Sequence, residues 1–136
     1  METTPSAAEL IAAATEALRD ELLPALSGRA AFQARVVANV LDIARRELER
    51  GPAADAAELA RLRALLGAPD TDPLPGLRAA LCDAIREGRV TLDTPGLADH
   101  LWADTMARLA IEQPAYPSFV REARPDPTPP AAPTAA

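Results

Sequence analysis

Apolar residues recur along this chain at intervals of three and four, the repeat of a helix with one buried face, and the pattern divides into five segments. The first opens at Ser6, whose hydroxyl can accept from the Glu9 backbone while the Glu9 carboxylate reaches back, a capping box. Leu10, Ile11, Ala14, Leu18 and Leu22 form its stripe, and Pro24 and Gly28 close it. The second spans Arg29 to Arg50, with Gly51-Pro52 as the expected stop. Phe32, Val36, Val40 and Ile43 make one stripe on it, and Val37, Leu41, Ala44 and Leu48 the adjacent one. Together they cover about half the cylinder at 100° per residue, which predicts a central helix packed on both sides.

A second capping box, Asp55 with Glu58, predicts a third helix through Leu59, Leu62, Leu65 and Leu66 to Gly67. The three prolines between Ala68 and Pro75 require a loop. Leu77, Leu81, Ala84 and Ile85 mark a fourth helix ending at Gly88, and Arg89 to Asp93 reads as an extended connector. Thr94 as N-cap and Pro95 at the first helical position open a fifth, with Leu97, Leu101, Trp102, Met106 and Leu109 on its apolar face and Pro114 as its end. From Pro117 onward six prolines in 20 residues leave too little apolar surface to offset the entropy of ordering. The expectation is an all-α compact bundle of about five helices over residues 1–116, the second helix central, followed by a disordered proline-rich tail over 117–136.

Composition agrees with helices and narrows the chemistry. Of the 136 residues, 32 are Ala and 18 Leu, both strong helix formers, while aromatics make up 3%. The net charge is −6, and all 14 basic residues are Arg. An acidic balance disfavours nucleic acid and anionic membrane as partners, both of which need a positive surplus. Without lysine there is no Walker A motif, Schiff base or lysine general base. Cys82 is the sole cysteine, so no intramolecular disulfide or thiolate cluster can form. The start, Met1 to Pro5, lacks signal-peptide character, and no uncharged apolar run reaches the ~18 residues of a bilayer span, so a cytoplasmic location is expected.

Arg35, Asn39, Asp42 and Arg46, spaced four, three and four, share one strip of the second helix about 16 Å long. Two guanidiniums with an amide between them could grip a carboxylate or phosphate bidentately. The plainer reading pairs Asp42 with Arg46 and Asn39 with Arg35, so that the strip only ties the helix to its neighbours. His100, the one histidine, precedes Asp104 by a turn, the spacing of a base and its orienter. With no second histidine or cysteine cluster to complete a metal site, it reads better as a rim residue. Cys82 reads as a small core residue, and Trp102 and Tyr116 as core anchors, Tyr116 also pinning the start of the tail. No cofactor motif, nucleophile elbow or metal-binding helix motif occurs, and an enzyme acting alone is not expected.

Several strings resemble a family of uncharacterised bacterial all-helical domains of unknown function: Pro5 to Leu10, Gly28 to Asn39 with Arg46-Glu47-Leu48, Leu81 to Arg86 followed by Gly88, and Leu109 to Tyr116. That family is often encoded beside aminoglycoside-phosphotransferase-like kinases and acyl-CoA dehydrogenases. The resemblance implies an accessory domain working with a kinase-like or acyl-CoA-metabolising protein, and it supplies no catalytic residue. Two functions follow as expectations. One is a helical interaction module docking through the second and fifth helices; the other is a small-ligand domain in which Arg35 and Arg46 hold the acidic end of an acyl or CoA-like molecule.

Overall fold

The computed structural model describes residues 4–123, and all regular structure among them is helical. Helix α1 (Ala7–Ala17) starts at the expected capping box: Ser6 N donates to Glu9 Oε2 at 2.7 Å, and Glu9 N donates to Ser6 Oγ at 3.2 Å. A π-helical turn (Leu18–Leu22) and a 3-10 turn (Leu23–Ala25) carry the chain to Ser27. Helix α2 spans Gly28–Leu66, α3 Leu74–Arg86, α4 Leu97–Glu112 and α5 Pro117–Glu122.

The main departure from expectation is α2, which fuses the second and third predicted helices into one rod of 39 residues, about 58 Å long. Gly51-Pro52 does not stop it. A proline ring suits the helical φ, and its cost is a missing hydrogen bond and crowding against the carbonyl four residues back. Pro52 lies exposed, and packing of the following segment against α3 and α4 outweighs that local cost. Asp55 and Glu58 are therefore not a capping box but mid-helix acids. The rod ends at Gly67, whose φ of +61° is the left-handed conformation that glycine takes without strain.

The core sits beside the C-terminal half of α2, where Leu62 meets Leu77, Leu81 and Ala84 of α3, Val90, and Leu97 of α4. The predicted extended connector is instead a set of turns: Arg89 N and Val90 N both donate to Ala84 O, folding Val90 inward. Helix α1 packs on the N-terminal half of α2, where the buried residues are Ala31, Ala34 and Ala38 together with Thr15 of α1. Small side chains make that a thin interface.

The expected coverage on both sides fails over this N-terminal half. Ala31, Ala34 and Ala38 point to α1, and at 100° per residue Phe32, Val36 and Val40 point roughly the opposite way. Phe32 is 63% exposed and Val40 58% exposed. Further along, Glu47, Gly51, Ala54 and Glu58 point to about the same side as that stripe, and there α4 covers them. The rod thus has α1 on one side near its start and α4 on the other side past its middle.

Other core assignments also change. Leu10, Leu22, Leu101 and Trp102 are exposed, and so is Cys82. His100, expected at the rim, is buried. Disorder was expected from Pro117, yet Pro117–Glu122 form α5; the rest of the predicted tail, 124–136, lies outside the described residues.

Candidate functional site

Three members of the strip on α2 line one cleft. Asn39, Asp42 and Arg46, with Ile43 between them, form one wall, and the segment joining α4 to α5 forms the other, through Gln113, Pro114 and Tyr116. The cleft encloses about 460 Å³. It lies where α4 ends: Gln113 leaves helical geometry at φ −141°, and Pro114 and Pro117, which cannot continue the helix hydrogen-bond ladder, line the connector side. Tyr116, expected as an anchor at the tail entry, is half-exposed on the cleft wall.

Arg46 closes the bottom. Its Nε donates to Ile111 O at 2.5 Å, satisfying one of the carbonyls that the last turn of α4 leaves without a helical partner. The terminal nitrogens of Arg46 make no hydrogen bond to the described residues and are the cationic donors available to an occupant.

Asp42 is held by a residue that spacing did not single out. Arg19, in the π-helical turn after α1, donates from Nη2 to Asp42 Oδ2 at 2.7 Å and to Asn39 Oδ1 at 3.3 Å. That hydrogen bond, opposed by some desolvation and aided by the charges of Arg19, Arg46 and Arg45, holds the Asp42 carboxyl below the usual range. Arg45 in turn lies 3.9 Å from Asp42 and makes two hydrogen bonds to Glu49. The strip does tie α2 to its neighbours, with partners other than those the spacing suggested. Only the irregular turn after α1 brings Arg19 across, and nothing in the helical repeat announces that turn.

Arg35 stays out of the cleft. It is exposed on the same strip one turn further toward the start of α2, with no hydrogen bond or ion pair among the described residues. The two-guanidinium grip is not assembled. His100 and Asp104 do not pair either. His100 is 5% exposed with its Nδ1 lacking a described partner, whereas Asp104 lines a narrow crevice between α2 and α4 beside Arg108.

The strongest electrostatic feature is one that the sequence disguised. Glu58, buried inside the bundle, accepts two hydrogen bonds from Arg78 of α3, Nε to Oε1 at 2.9 Å and Nη2 to Oε2 at 2.6 Å. Arg78 also donates to Asp55 at 3.0 Å. The Arg78 hydrogen bonds lower the Glu58 pKa against the opposing effect of burial, with smaller help from the charges of Arg78, His100 and Arg108. In turn Glu58 raises that of Arg78. This bidentate pair clasps α2 to α3. Among the described residues no group of three His, Cys, Asp or Glu side chains gathers to hold a metal ion, and no helix is long and apolar enough to cross a membrane.

Residues 24–116 match the model of a family described as a domain of unknown function, DUF6285. The match begins at Pro24, so α1 and its capping box lie outside it, and it ends at Tyr116 on the cleft wall. Comparison with curated proteins and with solved structures gives no match.

Proposed function

The chain belongs to the DUF6285 family, a membership that carries no activity with it, and we propose from its own geometry that it is a non-enzymatic helical module that docks on another protein. The observation that carries this reading is Trp102. It is the only tryptophan in the chain, it stands 56% exposed, and at 100° per residue it points directly away from the α4 face, Leu97, His100 and Ile111, that is buried against the bundle. Leu101 adjoins it, also exposed. A half-bare indole on a rigid helix is the kind of anchor that dominates protein interfaces, because it supplies large contact area at low entropy cost. The bacterial neighbourhood implied by the sequence strings makes a phosphotransferase-like kinase or an acyl-CoA dehydrogenase-like protein the partner, in the cytoplasm.

Co-expression with each of those neighbours, followed by gentle purification, tests the reading. Recovery of a stoichiometric complex that Trp102→Ala abolishes, with helix content unchanged, is the expected result. Recovery of the chain alone with both neighbours present, or a complex indifferent to Trp102→Ala, overturns it.

A second reading is favoured by the cleft itself, which places Arg46, Asn39 and Tyr116 around a space of ligand size. In this reading Arg46 holds the acidic end of an acyl or CoA-like molecule without help from Arg35. Calorimetric titration with acyl-CoA distinguishes it: binding lost on Arg46→Gln supports it, and no heat of binding ends it.

A further inference from the structure

The bare stripe on α2 has a definite shape and charged ends. Phe32, Val36 and Val40 rise at steps of four along the side of the rod away from α1, and the stripe stops where α4 begins to cover the same side. The end of α4 is fixed on the rod by the bond from Arg46 to Ile111. From Arg29 to that point the rod runs 17 residues, about 25 Å.

Both ends of this bare face carry the wrong charge for an isolated chain. Helix α2 has no acidic residue in its first turn and no side-chain cap from Ser27; it has Arg29, a cation at the positive pole of a helix. Helix α4 has no basic residue in its last turn and ends on Glu112, an anion at the negative pole. Neither Arg29 nor Glu112 makes an ion pair with a described residue, and both are exposed. Each is unfavourable alone, and the two are complementary to each other across the length of the stripe.

We propose that a second copy of this chain covers the stripe, its α2 running antiparallel to the first. With the two-fold axis beside Val36, Phe32 of each copy lies at the level of Val40 of the other, an isologous pairing in which one patch serves both sides. Arg29 of each copy then reaches the C-terminal end of α4 of the other, meeting Glu112 and the remaining free carbonyls. Two α1–α2 hairpins, whose fully buried residues are all small, become a four-helix layer with an apolar middle. The outer face of α4 with Trp102 stays free, so the dimer stands independently of the docking role above.

Sedimentation of the full chain from dilute to concentrated protein tests the dimer. The expected result is a monomer–dimer equilibrium that Val36→Asp shifts wholly to monomer while circular dichroism stays helical. Arg29→Glu alone is expected to weaken the dimer about tenfold and yet raise the melting temperature of the dilute monomer, because it repairs the charge at the start of α2. Joined with Glu112→Arg, it restores the dimer. A monomer at every concentration, or a dimer indifferent to Val36→Asp and to the charge reversals, overturns the proposal.

Discussion

Removing Arg78 exposes how much the fold depends on the clasp between α2 and α3. The Glu58 side chain is 7% exposed, and in the native chain its charge is met by two hydrogen bonds from one guanidinium. Arg78→Ala leaves that carboxylate buried without its partner. Breaking a fully buried pair from one side costs roughly 3–5 kcal/mol. Arg78 is itself 39% exposed, so water can reach into the vacated space, and a cost of about 2–3 kcal/mol is expected at neutral pH. With a urea dependence of about 1.5 kcal/mol per molar, the unfolding midpoint followed by circular dichroism falls by about 1.3–2 M. The loss must also depend on pH. The folded-state pKa of Glu58 is lowered, so its contribution is present above the unfolded value of 4.5 and is lost as pH falls through the folded value. The gap between native chain and Arg78→Ala therefore narrows on acidification below that range. Glu58→Gln, which leaves no bare charge, costs less than Arg78→Ala. A loss below ~0.5 kcal/mol, or one that is the same at pH 7 and pH 3, refutes the clasp.

Pro52→Ala returns a hydrogen bond donor to the middle of α2 and relieves crowding at Leu48, so a gain of about 1–3 kcal/mol is expected in the same urea experiment; no gain would refute the local cost assigned to Pro52. Cys82, exposed on α3, is expected to react with a thiol reagent in the folded protein at nearly the rate of the unfolded chain, and protection would return it to the core. Ser6→Ala removes the α1 cap and should cost about 1 kcal/mol, with hydrogen exchange accelerating in the first turn of α1 alone.

Local signals in the sequence held at several single turns of backbone, but not at Thr94-Pro95: α4 starts only at Leu97 after Gly96, and the Thr94 hydroxyl accepts from Thr91 N instead of capping the helix. The Ser6–Glu9 box opens α1, Gly67 ends α2, and the prolines after Ala68 hold the loop before α3. Signals that depend on what packs nearby did not hold. Gly51-Pro52 has the composition of a stop, but packing on α3 and α4 carries the helix past it, and the acids placed as a cap at Asp55 and Glu58 became the anchor of Arg78 instead. Periodicity identified the Phe32 stripe as apolar but not what faces it, because a stripe has the same spacing whether or not a described helix of its own chain lies opposite. Trp102 was misplaced for the same reason. Of the candidate strip, the helical repeat brought Asn39, Asp42 and Arg46 to one wall, while the end of α4, set by tertiary packing, decided that Arg35 lies beyond the cleft.

The offset of α1 from α4, and with it the placing of the cleft and the exposed stripe, follows from α2 being one unbroken rod. A distance measurement by pulsed electron spin resonance across it is the most direct test, with labels at the exposed positions Gln33→Cys and Ala64→Cys in a Cys82→Ser background, diluted with unlabelled chain. Thirty-one residues of continuous helix predict one narrow distribution near 46 Å between the labelled backbone positions. A broad distribution, or one centred below about 30 Å as two helices meeting at Gly51-Pro52 would give, contradicts the account.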